Sequence, residues 1–93
     1  MVEITRIFWK TVVTSDAFVL GEIESAELDI NTWQLKSLYV SLNDEATKIL
    51  GFERPFLGKV MVCLPVSTVK AIKDTAVLNK TIRELRELKE CKK

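Results

Sequence analysis

The sequence predicts a mainly β protein: a small six-stranded β-barrel, one domain over residues 1–93, with one short helix and a C-terminal helix and tail over 78–93. Three observations carry this prediction. Residues 19–42 fold back on themselves so that apolar side chains meet across the strands. Six short runs rich in β-branched and aromatic residues are separated by turn residues at close spacing. The chain then closes on a charged segment with a narrow apolar stripe and a helix-start signal. A closed barrel also removes the sheet edges that so small a β protein must otherwise protect.

The first strand is predicted over 7–13, and Thr14-Ser15-Asp16 reads as a turn. The hairpin strands follow at 19–28 and 33–42. With Ile30-Asn31 at the turn, Leu28 faces Trp33, Ala26 faces Leu35, Ile23 faces Leu38, Gly21 faces Val40 and Val19 faces Leu42. Cross-strand pairs of this kind set a register. The loop 29–32 has no glycine, so Asn31 is the residue best suited to positive φ there. A short helix spans 43–50, capped by Asn43 or Asp44 and ended by Gly51. Phe52, Phe56 and Leu57 flank Pro55 in a loop expected to plug one barrel end. Strands at 59–64, 69–73 and 75–78 complete the set. The last helix is predicted over 79–89, with Thr81-x-x-Glu84 as a capping box and Ile82, Leu85 and Leu88 as its apolar stripe.

The hairpin pattern contains a phase change. Val19, Gly21 and Ile23 are odd-numbered, whereas Ala26 and Leu28 are even. On the second strand Trp33 and Leu35 are odd, whereas Leu38, Val40 and Leu42 are even. Side chains alternate faces with a period of two. Unbulged strands would therefore turn Ala26, Leu28, Trp33 and Leu35 outward at the hairpin tip, where a second subunit or the terminal helix would cover them. A β-bulge in each strand, at Glu24/Ser25 and at Lys36/Ser37, would instead restore one continuous face. Both geometries fit the sequence. On the unbulged geometry Leu28, Trp33 and Leu35 are candidate interaction residues, and Ile82, Leu85 and Leu88 of the terminal helix join them as candidates.

Charge is divided along the chain. Residues 1–47 hold three Lys/Arg and eight Asp/Glu, a net of −5, and residues 48–93 hold eleven and five, a net of +6. Such asymmetry steers one surface toward another of opposite sign. The expected state is a homodimer. Nucleic acid is not the expected partner, because Lys80, Arg83, Arg86, Lys89, Lys92 and Lys93 alternate with Glu84, Glu87 and Glu90, which repel a phosphate backbone. No run approaches the ~20 apolar residues of a membrane span. The N-terminal residues carry Glu3 and Arg6 and do not read as a signal peptide. The two cysteines, Cys63 in an apolar strand and Cys91 in the tail, are expected as free thiols in a reducing cytoplasm.

The chemistry available is narrow. The chain has no histidine, which removes imidazole bases, the Ser-His-Asp triad and imidazole metal sites. Gly21, Gly51 and Gly58 are too scattered for a phosphate loop. Glu22, Glu24, Glu27 and Asp29 read as a solvated strand face. The expectation is therefore no enzyme, with no catalytic residues, no metal and no cofactor.

Two segments resemble the PRC-barrel family. The first is Ser15-Asp16-Ala17-Phe18-Val19-Leu20-Gly21 with Ile23, Leu28 and Asp29. The second is Pro55-x-x-Gly58, Val60-x-Val62-x-Leu64-Pro65, Val69-x-x-Ile72 and Asp74-x-x-Val77-Leu78. The chain departs from the pattern at Ala17 and Lys73, where the family usually has glycine. The resemblance implies a six-stranded PRC-type barrel and a non-enzymatic interaction or adaptor domain that self-associates. Its small stand-alone archaeal members are the most similar in length and tail. For these the implied protein partner belongs to the cell-division machinery, as in members that bind the membrane-anchor protein SepF. Two other functions stay open: an RNA-processing or ribosome-maturation accessory like the RimM barrel domain, and a small-ligand-binding barrel.

Overall fold

A computed structural model describes residues 4–53, 58–86, 88 and 91. Its six strands are β1 (Thr11–Val13), β2 (Val19–Asp29), β3 (Gln34–Leu42), β4 (Met61–Pro65), β5 (Val69–Ile72) and β6 (Ala76–Leu78), with one helix, α1 (Asp44–Ile49). They form one sheet in the order β4-β3-β2-β1-β6-β5. All pairings are antiparallel except β1 with β6. The chain is mainly β, as predicted, but the sheet is not closed. Its edges, β4 and β5, follow one another in the chain across a 3-10 turn at Val66–Thr68, so the sheet must curl to bring them round. The free edge of β4 meets the tail instead of β5: the Cys91 N–H donates to the Met61 carbonyl at 2.7 Å.

Two expectations change at the ends of the chain. The predicted strand over 7–13 is shortened to Thr11–Val13, because Ile4–Ile7 is a 3-10 turn and Trp9 has φ +69°. The 3-10 turn also closes onto Lys10, whose N–H donates to the Ile7 carbonyl. The C-terminal helix is absent from the described residues. The capping box forms, with the Thr81 N–H donating to Glu84 Oε1 at 2.9 Å and the Glu84 N–H donating to Thr81 Oγ1 at 3.2 Å. Beyond it Leu85, Arg86 and Leu88 make only i→i−3 bonds. A lone segment of about 11 residues is marginal as a helix in water, and tertiary ties decide this one. Its Ile82 N–H bonds Asp16, and Leu85 is buried with 4% exposure. Residues 87, 89 and 90 of the predicted helix lie outside the described residues, as do residues 54–57 of the expected plug.

The cysteines expected as free thiols are joined in a Cys63–Cys91 disulfide. Cys63 alternates with the buried Val62 and Leu64, so its side chain is on the outer face of β4, where the tail arrives. A pair 28 residues apart in sequence carries no local signal of its contact. The bond removes the free-thiol argument for a reducing compartment.

The hairpin resolves as two bulges. Gly21 pairs with Leu42 and Ile23 with Val40, then Ser25 pairs with Tyr39 and Ala26 with Leu38, leaving Glu24 as an extra residue on β2. Glu27 pairs with Ser37 but Leu28 with Leu35, leaving Lys36 extra on β3. Both bulges fall at the predicted phase changes. They keep Ile23, Ala26, Leu35 and Leu38 on the core side, with Ala26 and Leu35 packed against the core. The outward-facing tip of the unbulged alternative is thereby corrected. The register also differs from the predicted one, by two residues at the tip and base because the loop has four residues between the Asp29–Gln34 pair rather than two, and by three between the bulges. Asp29 organises that loop: its Oδ1 accepts the Asn31 and Thr32 N–H groups, and its carbonyl accepts the Trp33 N–H at 2.6 Å. Trp33, not Asn31, takes positive φ, at +58°.

The core gathers Val12, Leu20, Ile23, Leu38, Val40, Leu42, Val60, Val62, Leu64, Ala76 and Leu78, all at 0–2% exposure. Helix α1 starts as predicted, with the Ala46 N–H donating to Asn43 Oδ1 at 2.7 Å, and buries Ala46 and Thr47. The turn after β1 is held by Thr14 Oγ1, which accepts the Phe18 N–H and donates to the Asp16 carboxylate. Ala17 sits there at φ +66°. A left-handed backbone costs an L-residue about 1–2 kcal/mol, partly offset by glycine's larger unfolded-state entropy. Ala17→Gly should therefore stabilise the protein by about 0.5–1 kcal/mol. A urea midpoint that stays put or falls would show that the turn gains nothing from glycine.

Candidate functional site: a basic, apolar cleft at the hairpin tip

The bulge at Lys36 aims Leu35 at the same side as Leu28, its partner across the hairpin. These two join Ile7, at the end of the first 3-10 turn, and Ile72, at the end of β5, in a cleft of about 530 Å³. Trp33 stands at its mouth, 76% exposed. Arg6, Lys10 and Lys73 complete the lining, and among the described residues it includes no acidic side chain.

Each wall is fixed by backbone bonds. The Trp9 N–H donates to the Ile23 carbonyl at 2.6 Å, and the Ile23 N–H donates to the Lys10 carbonyl at 3.0 Å. This straps the Arg6–Lys10 loop onto β2. Lys73 is held in the β5–β6 turn, its N–H donating to the Thr75 carbonyl at 3.1 Å. Trp33 is held by its bond to Asp29 in a left-handed backbone that disfavours a bulky side chain.

The six sequence candidates separate into two groups. Leu28, Trp33 and Leu35 come together as the cleft wall. Leu85 belongs to the core, and Ile82 and Leu88 pack against it, so the stripe seals the fold rather than forming a docking face. Sequence reasoning missed Ile7, Ile72 and the three cations. They come from segments far apart in the chain, and no spacing rule joins them.

The perturbed ionisable groups lie elsewhere. The Tyr39 hydroxyl donates to Glu27 Oε2 at 2.8 Å, and Lys36 lies 3.4 Å from Oε1 of the same carboxylate. The Tyr39 bond, reinforced by Lys36, lowers the Glu27 pKa, and the same bond to the Glu27 carboxylate raises the pKa of Tyr39. The Thr14 hydroxyl holds the Asp16 carboxyl below its usual value, and the Thr81 N–H does the same for Glu84. None of these groups lines the cleft. Among the described residues, no three His, Cys, Asp or Glu side chains come together to hold a metal ion. A second hollow, of about 490 Å³, lies beside α1 between Asp44, Glu45, Thr47, Lys48 and Phe52, with both charge signs on its lining.

No helix among the described residues is long and apolar enough to cross a membrane. Compared with protein-family models and with curated proteins, the chain matches none.

Proposed function

We propose that this protein is a non-enzymatic interaction module, an adaptor that self-associates through the face bearing its hairpin tip. The observation that carries the reading is the exposure of large apolar side chains on one loop: Ile30 at 75% and Trp33 at 76%. Leu28, 39% exposed, adjoins them. Solitary exposed apolar residues are ordinary, but a contiguous group with aromatic content marks a contact surface. The family resemblance of 15–21 and 55–78, with its PRC-type module, supports the same reading, and its protein partners would dock on this face.

Trp33 tests it. The side chain is mostly in solvent, so Trp33→Ala should leave unfolding by urea within about 0.5 kcal/mol of the parent. Self-association should weaken about 30-fold, the equivalent of about 2 kcal/mol for a truncated interface aromatic. Sedimentation at about 100 µM should find the parent a dimer, since a micromolar contact is populated there. A strictly monomeric parent would refute self-association. Loss of folding in Trp33→Ala without a separate loss of association would place the indole in the fold rather than in an interface.

A second reading, small-ligand binding, is favoured by the cleft itself. Its volume lies within the roughly 300–1,000 Å³ of small-molecule sites.

A further inference from the structure

Beyond self-association, we propose that the hairpin-tip cleft binds a small amphiphilic anion, an unbranched apolar chain ending in a carboxylate or a phosphate monoester. The chain half of the ligand is read from the lining. Ile7, Leu28, Leu35 and Ile72 are aliphatic and come from four different elements, so they form walls rather than one stripe. A flexible hydrocarbon suits such walls better than a flat ring, which would need a second aromatic face opposite Trp33.

The anionic half is read from the charges. Arg6, Lys10 and Lys73 converge on this one cleft. Among the described residues the single ion pair is Lys36 with Glu27, so none of the three cations is neutralised by a carboxylate there. Their gathering runs against the local composition. Residues 1–47 contain three Lys/Arg against eight Asp/Glu, and two of those three cations, Arg6 and Lys10, line the cleft. Three like charges around an apolar surface repel one another, and an anion seated among them relieves the repulsion. Trp33 supplies the remaining element. Its left-handed backbone keeps a large amphipathic ring at the mouth, where it covers the chain of a bound ligand.

Carboxylate and phosphate heads share this chemistry, and a titration separates them. The full chain would be labelled with nitrogen-15 and titrated with dodecanoate, dodecyl phosphate, dodecyltrimethylammonium and neutral dodecyl maltoside, each below its micelle concentration. The expected result is saturable shifting of the Ile7, Lys10, Leu28, Leu35, Ile72 and Lys73 amides with one or both anions. The anion that binds more tightly identifies the head group. The double variant Lys10→Gln/Lys73→Gln should keep its dispersed spectrum and bind at least tenfold more weakly. Equal binding of the cationic or neutral amphiphile would overturn the proposal, since the cations would then contribute nothing. So would shifts that scatter over the surface without saturating. Ile30→Asp separates this site from the dimer. Ile30 is exposed and does not line the cleft, so this variant should lose self-association while retaining the anion. Loss of anion binding in Ile30→Asp would count against a cleft site separate from the dimer contact, and a monomeric parent that binds the anion would count against the interface alone.

Discussion

Gly21→Ala should cost about 4 kcal/mol or more, an appreciable part of the 5–15 kcal/mol that holds a small domain together. Gly21 lies within β2, paired with Val12 of β1 on one side and Leu42 of β3 on the other. A β-carbon there would lie 1.8 Å from the Ser41 carbonyl oxygen, 2.9 Å from its carbon and 3.1 Å from the Leu42 α-carbon. All three atoms are backbone, so no rotamer change makes room. The strands must part, and the β2–β3 ladder is lost locally along with the burial of Leu20 and Leu42 beside it. Gly58→Ala is the matched control. Gly58 has φ +83° but no atom of a described residue within 4 Å of a new β-carbon, so it should cost only the left-handed penalty of about 1 kcal/mol. Urea unfolding of the two variants side by side measures the difference. Equal midpoints would mean that the close approach of the strands at Gly21 is not real.

Leu85→Asp should be nearly as damaging, at about 4 kcal/mol. Truncating a buried leucine alone costs about 2–5 kcal/mol, and a carboxylate without a partner adds a desolvation penalty. Leu85 is 4% exposed and belongs to the same buried cluster as the sheet residues. The effect should appear in folding rather than in association, because the stripe faces the core. The exposed neighbour Arg83 is the control, with Arg83→Ala expected within about 0.5 kcal/mol of the parent. A melting temperature for Leu85→Asp within about 2 °C of the parent would contradict the burial, since each kcal/mol shifts a domain of this size by roughly 4–8 °C.

The candidate site was partly legible. Leu28, Trp33 and Leu35 stood out in the sequence as apolar residues at the tip of a hairpin, and the structure places all three on one cleft. Arg6, Lys10 and Lys73 were invisible, because their proximity depends on the curl of the sheet that brings the β5–β6 turn toward the loop before β1. The stripe of Ile82, Leu85 and Leu88 had the spacing of a docking helix. Its fate depended on whether a surface was left for it, and the core took it.

Local chemistry determined what could be read directly from the chain. Asn43 caps α1, Thr81 and Glu84 form their reciprocal bonds, and the phase changes at Glu24/Ser25 and Lys36/Ser37 mark the two bulges. In each case the interacting groups are neighbours in sequence, or the signal is the period of the strand itself. Tertiary structure decided the rest. Whether the phase changes meant bulges or an outward tip depended on the energy of burying Ala26 and Leu35 against the core. Whether the described part of 79–89 became a helix depended on its ties to Asp16 and to the sheet. Whether the sheet closed depended on the β4 edge, where Cys91 bonds Met61 and Cys63. These outcomes compare contacts between residues far apart in the chain, and the free energy of such contacts exists only once the sheet has brought them together.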